Sequence, residues 1–272
     1  MPLEPRATAL AAALVALSVL AAVEAEGAPS GKVDAVSGSG MAAVPAGTFS
    51  PPFRDPEPAD SGARRVAVPA FRVDIRAVST AEFLTFVRTH ARYRKSAIPA
   101  LFADSGYLRT WKDDLQPDAL TLNAPVTAVS WHAAKAYCAA QGKRLPTTSE
   151  WERVAATRPA DMDSATHLRA ILAWYARSSG TDTPRFGSGT RHAFGVRDLH
   201  GVVWEWTSDY NAWSAGGVNR RGVKEEGLFC GGASARAAPD TDYATYMRWA
   251  FRSSLKPHYT VAALGFRCAA DL

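Results

Sequence analysis

Residues 41–49 (Met-Ala-Ala-Val-Pro-Ala-Gly-Thr-Phe) alternate apolar and small side chains, and a Pro-rich stretch follows to about Gly62. Such alternation bounded by turn residues predicts a short strand and then a loop. Residues 66–75 predict a second strand. The period then changes: Phe83, Phe86 and Val87 stand at i, i+3 and i+4 behind Ser79 and Glu82, a capping box that opens a helix. Residues 92–123 show neither period and, with Phe102, Tyr107 and Trp111 among them, predict a long irregular excursion over the surface. A brief extended run at 126–129 leads to Ser130, the N-cap of a helix from Trp131 to about Gln141 that Gly142 stops. Lys143-Arg144-Leu145-Pro146 is a stiff link to a second capping box, Thr147 with Glu150, and a helix through Trp151 and Val154. Leu168, Ile171 and Leu172 repeat at helical spacing and predict a helix over 164–177. From Thr181 to Leu272 the chain is Gly-rich, aromatic and short-stranded, and no helix longer than two turns is expected there. No internal repeat of fixed period is visible.

The first residues change the picture from a plain domain to an exported one. Arg6 precedes an apolar, alanine-rich run over residues 7–23 that ends at Val23-Glu24-Ala25, a small-residue cleavage pattern. The run is shorter than the roughly 20 residues that span a bilayer, so it reads as a signal peptide over 1–25 rather than an anchor, and places the mature chain in the periplasm or outside the cell. Residues 26–40, rich in Gly, Ser and Ala, offer no packing face and read as a flexible leader. Residues 41–272 fit one domain. The net charge is +5, but 31 basic and 26 acidic residues are interspersed without a run of like charge, which argues against a nucleic-acid partner. Eight Trp, eight Tyr and eleven Phe point to a loop-rich core pinned by aromatic side chains.

Three cysteines, Cys138, Cys230 and Cys268, allow one internal disulfide and leave one thiol, and counting does not decide which pair forms. Closing a loop of more than a hundred residues stabilises by roughly 4 to 5 kcal/mol in the chain-entropy model.

Separated blocks then match one family in order. They are residues 41–49, Ser79-Thr80-Ala81-Glu82-Phe83, Pro125 through Trp131, Ala136-Tyr137-Cys138, Gly142 through Thr147, and Glu150-Trp151-Glu152. Gly195 through Gly201, Val203-Trp204-Glu205-Trp206-Thr207-Ser208-Asp209, Gly231-Gly232 and Leu264-Gly265-Phe266-Arg267-Cys268 complete the series. Together they resemble the formylglycine-generating enzyme, or sulfatase-modifying factor, family across the mature chain. The resemblance implies an α+β fold of low regular structure, a C-type-lectin-like variant in which a few helices surround small twisted sheets. It also implies that Cys138 bridges Cys268, leaving Cys230 unpaired, and that a second family disulfide, falling at Ala155 and near Trp249, is missing. A structural calcium is implied at the turn before the Trp-Glu-Trp block, with carboxylates from Asp198 and Glu205 and backbone oxygens from Gly201 and Val203, a ligand type that suits that ion. The competing reading is that Asp198 caps a turn and Glu205 pairs with an Arg.

The family's oxidation of a substrate cysteine needs two thiolates after a Gly-Gly-Ser to hold Cu(I), because soft sulfur selects that ion. Here the block is Gly231-Gly232-Ala233, no cysteine follows from Ser234 through Lys256, and Arg236 stands near the first thiolate position. The iron-dependent ergothioneine-type branch, whose metal sits on an extra helical domain, has no counterpart. The six histidines, His90, His132, His167, His192, His200 and His258, stand singly and are each expected to be ordinary surface or core residues. Phe229-Cys230-Gly231, Tyr243-Ala244-Thr245-Tyr246-Met247-Arg248 and Ser253-Ser254-Leu255 resemble a smaller branch that includes the pyoverdine-maturation oxidase and the accessory protein encoded beside copper nitrite reductases. Cys230 is the sharpest catalytic candidate, a thiol beside a Gly-Gly where backbone approaches a ligand closely; burial behind Phe229 is the other reading. Arg236, Tyr243, Arg248 and Arg252 are expected along the equivalent groove, where arginine grips anionic groups, unless each serves a structural ion pair. The expected function is an accessory or maturation factor, with an oxidase among its forms, for a periplasmic protein or secreted peptide. A non-catalytic lectin-like binding module is the alternative, and a sulfatase activator the third reading. The redox metal, if there is one, is unspecified.

Overall fold

The computed structural model describes residues 40–50, 65–177, 185–211 and 243–272, all within one compact unit. The alternating stretch at the start forms two strands rather than one, β1 (Met41–Val44) and β2 (Gly47–Phe49), and the second stretch likewise gives β3 (Val66–Val68) and β4 (Phe71–Asp74). Each break falls at a proline, Pro45 and Pro69, which has no N–H for a ladder. β1 pairs antiparallel with β4, β4 with the C-terminal β7 (Ala269–Asp271), and β2 with β3. A short parallel pair joins β5 (Trp204–Glu205) to β6 (Leu264–Gly265).

The helices start where local chemistry dictates. Ser79 and Glu82 complete the capping box of α1 (Thr80–Thr89). The Ser130 side chain accepts from Ala133 N–H at the head of α2 (Trp131–Ala140), and Thr147 with Glu150 opens α3 (Thr148–Ala155). Gly142, at φ +65°, lets the chain leave α2 in the left-handed region that side chains avoid. α4 (Ser164–Arg177) lies where helical spacing predicts it. α5 (Tyr243–Ser253) does not: three turns form in a region expected to hold none that long. Its buried face is Ala244, Arg248 and Arg252, so no apolar stripe announces it.

Two apolar clusters hold the fold. One packs α1 and α2 around Trp206 and Phe266, and the other packs the three-stranded sheet against Trp151 and Val154 of α3. The irregular residues 92–123 are not a surface excursion throughout, because Ala103, Tyr107, Leu108 and Trp111 are buried in the first cluster. A disulfide between Cys138 of α2 and Cys268 beside β7 ties the helices to the sheet, the pairing implied by the family resemblance. Mixed helices and small sheets make this an α+β fold. Among the described residues no helix is long and apolar enough to cross a membrane.

Candidate functional site

Three buried polar groupings meet around Trp151, whose indole is 4 % exposed. The first is Glu205 with Arg267, an ion pair with both side chains fully buried. Arg267 Nε and Nη2 each donate to a Glu205 oxygen at 2.8 Å. Its remaining N–H groups reach the carbonyls of Asp74, Ile75 and Arg197 at 3.0 to 3.1 Å. Trp151 Nε1 donates to Glu205 Oε2 at 2.8 Å. Taking both charges out of water costs several kcal/mol per ion, which only this kind of complete donor matching offsets.

The second grouping is Glu152 between two arginines of α5. Arg248 Nη2 approaches Oε2 at 2.6 Å and Arg252 Nη1 approaches Oε1 at 2.7 Å. Arg248 also donates to Tyr175 Oη at 2.9 Å and Thr245 Oγ1 at 2.9 Å. The Arg252 guanidinium lies 4.4 Å from the Trp151 ring centre. Burial pushes the Glu152 pKa up, but the charges and hydrogen bonds of Arg248 and Arg252 outweigh it and hold the carboxyl below its ordinary range.

The third grouping is His167, His192 and His200. Asp163 starts α4 by accepting from Thr166 N–H, which sets His167 one position later on the buried face. The other two imidazoles come from one loop. His192 N–H donates to Val196 O, Thr190 N–H to His200 O and Asp198 N–H to Thr190 O, a hairpin-like return that brings His192 beside His200. Gly189 is required there, because a side chain would collide with the His200 carbonyl. The ring centres are 5.1 Å apart for His192 and His200, 5.6 Å for His167 and His192, and 6.1 Å for His167 and His200. Exposure is 8 % for His167, 5 % for His192 and 1 % for His200. His192 Nδ1 meets the Thr157 carbonyl at 2.8 Å, so it carries the proton and donates, and Nε2, 2.8 Å from Thr190 Oγ1, keeps its lone pair. Among the described residues, no ring nitrogen of His167 or His200 has a hydrogen-bond partner. An unmet buried polar group costs roughly 1 to 3 kcal/mol. Burial first, then Arg248 and the neighbouring imidazoles, pushes the His200 pKa well below the ordinary value. Burial likewise takes His192 down to about 4 against a smaller rise from the Thr157 hydrogen bond, and lowers His167. All three rings are neutral at pH 7.

The residues expected to carry function fall elsewhere or serve other roles. Cys230 and Arg236 lie outside the described residues. Tyr243 opens α5, 47 % exposed, stacked on Tyr246. Arg248 and Arg252, read either as groove residues or as structural ion pairs, are both buried against Glu152, the ion-pair arrangement. Asp198, at φ +57°, accepts from Gly187 and Gly189 N–H at 2.8 and 3.0 Å, and Glu205 has both oxygens on Arg267. Calcium wants six to eight oxygens. The side-chain contacts of Asp198 and Glu205 are thus those of a turn and an ion pair, the competing reading of these two residues.

The histidines, in contrast, were expected to be isolated, and the fold brings half of them together. A separate cavity of about 590 Å³, open to solvent, lies over α2 between Phe102, Trp131, His132, Lys135, Arg92 and His90. It shares no residue with the three groupings around Trp151.

A family model described as the sulfatase-modifying factor enzyme 1-like domain matches residues 28–272. The formylglycine-generating enzyme of Mus musculus is 29 % identical, over 85 % of this chain and 75 % of that protein. The inactive C-alpha-formylglycine-generating enzyme 2 of Bos taurus is 30 % identical, over 82 % and 83 %. The hercynine oxygenase of Mycobacterium tuberculosis is 29 % identical over 53 % of this chain and 38 % of its own length. Among solved structures, PvdO from Pseudomonas aeruginosa shares the fold at a TM-score of 0.50 and 17 % identity, over 85 % of this chain and 94 % of that one.

Proposed function

The chain belongs to the sulfatase-modifying factor family, and from that premise we propose that it is an exported accessory or maturation factor for a periplasmic protein or a secreted peptide, working without two-thiolate copper chemistry. One observation carries the reading. The chain has three cysteines, and Cys138 and Cys268 are joined to each other, so a single thiol, Cys230, remains. One sulfur does not make the paired soft cradle that Cu(I) needs. The apolar start over residues 7–23 supports export. We read the fold as a C-type-lectin-like variant, in which small sheets and helices form a scaffold and the loops carry the site. The blocks at residues 229–231, 243–248 and 253–255, which resemble the maturation branch, support a role in maturing a product, and oxidation of that product is among the reactions open to such a factor.

The test is direct. Purified protein is incubated with a sulfatase-derived peptide, copper, reductant and dioxygen, and the peptide is read by mass spectrometry. No formylglycine is expected, and formation that disappears in Cys230→Ala overturns the reading. For the accessory role, exported proteins from a strain lacking the gene are compared with those of the parent. A partner whose processing fails is expected, and an unchanged exported set counts against the role.

A second reading, a non-catalytic binding module, is supported by the aromatic and cationic cavity over α2 and by the relative named inactive. Saturable peptide or glycan binding without oxygen consumption favours it over the first.

A further inference from the structure

His167, His192 and His200 come from a helix and a loop far from it in sequence, yet a ligand atom of each lies within 4.8 Å of those of the others. A four-coordinate ion bound at roughly 2.0–2.1 Å holds nitrogen donors about 3.4 Å apart, so small rotations of the three rings close the set. Nothing else in the described structure accounts for the arrangement. Buried polar atoms normally find partners, yet all four ring nitrogens of His167 and His200 have none among the described residues. His192 is already oriented as metal-bound imidazoles are, with Nδ1–H donating to a backbone carbonyl, Thr157 O at 2.8 Å, and the lone pair on Nε2, where an ion would displace the Thr190 hydroxyl now 2.8 Å away.

We propose that His167, His192 and His200 hold one divalent first-row transition-metal ion. Neutral imidazole selects zinc, iron, copper or nickel over calcium or magnesium, which prefer oxygen. Three neutral ligands leave the ion's charge uncompensated in a buried setting close to Arg248. The fourth position thus belongs to a small anion, hydroxide or a carboxylate, as in sites that keep one position open. The three ligands share no residue with the calcium set Asp198, Gly201, Val203 and Glu205, although His200 lies in the same turn, and the proposal stands independently of the accessory role proposed above.

The full chain is stripped with chelator, dialysed, and titrated with Co²⁺ and separately with Zn²⁺ at neutral pH, with calcium as a parallel titrant. One Co²⁺ per chain is expected, with ligand-field absorption of a nitrogen-rich site, displacement by Zn²⁺, and a raised unfolding midpoint. His192→Gln with His200→Gln is expected to weaken binding by more than about 10-fold, given that even outer partners of metal ligands change affinity by 10- to 100-fold. His258→Gln, outside both the histidine cluster and the cavity over α2, serves as the control and leaves binding unchanged. If the double variant does not fold, His167→Gln alone decides by its altered Co²⁺ spectrum. The proposal is overturned if the stripped protein retains neither ion after gel filtration, if calcium alone binds, or if a folded His variant binds Co²⁺ as the parent does.

Discussion

Around Trp151 two kinds of buried polarity lie side by side, and they are finished to different degrees. On one side every N–H of Arg267 has an acceptor and both oxygens of Glu205 are taken, while Glu152 is shared by two guanidiniums. On the other, His200 meets the edge of the same indole, ring centres 5.4 Å apart, with both nitrogens unmet. A network whose donors all find acceptors is architecture: it fixes how α3, α5 and the C-terminal strands meet. A cluster left open in an equally dry place has its valence available for something that arrives later.

The largest effect comes from breaking the finished side. Glu152→Gln leaves Arg248 and Arg252 buried without a countercharge, and removal of one partner from a buried pair costs about 3 to 5 kcal/mol. Urea unfolding of the variant is expected to show a loss of that order, with the midpoint moving and the slope unchanged. A loss under about 1 kcal/mol, the scale of exposed pairs, would mean that solvent reaches Glu152 and that the contrast is overstated.

How far each side was legible in the sequence follows from how locally it is specified. The caps of α1, α2 and α3 were readable because Ser79, Ser130 and Thr147 satisfy backbone donors within three residues. α5 was not, since its buried positions Arg248 and Arg252 are charged and are drawn inward by Glu152, far away in the chain. Tyr107 and Trp111 read as part of a surface excursion because irregular backbone buries side chains without any period. Glu205 and Arg267 stand in the blocks that carry the family resemblance, but their pairing was one of two open readings. The histidines gave no signal: no short spacing links His167 to the other two, and only the hairpin-like return at residues 190–200 and the packing of α4 bring them together.

An intermediate effect separates the two sides by pH. In the unfolded chain an imidazole gains its proton near pH 6.5, whereas in the fold His192 does so only at about 4. Between these values the unfolded state binds more protons, so stability falls as pH falls, by about 3 kcal/mol for His192 across the whole interval. His200 and His167, both lowered by burial, add in the same direction. Glu152, whose folded pKa is depressed, contributes stability that is present above its unfolded pKa and is lost only as pH drops through the lower folded value. Unfolding free energies of metal-stripped protein are expected to decline from about pH 6.5 downward, and His192→Gln to decline less steeply by about one proton. Equal slopes for parent and variant would show that His192 is not held neutral by the fold.

The smallest effect is the most discriminating, because the two sides predict opposite consequences for deleting a buried polar group. His167→Leu in metal-stripped protein removes two nitrogens with no partners and substitutes an apolar side chain of comparable bulk and different shape. No hydrogen bond is lost, the cost of desolvating the imidazole disappears, and the packing mismatch works the other way. The expected change is within about 1 kcal/mol of zero, of either sign, against the several kcal/mol for Glu152→Gln. Added Zn²⁺ then reverses the ranking: it raises the unfolding midpoint of the parent, as any ligand bound only by the native state does, and leaves that of His167→Leu where it was. A large loss in the stripped variant would mean that the imidazole is already satisfied, and the cluster would then belong with the ion pairs as architecture.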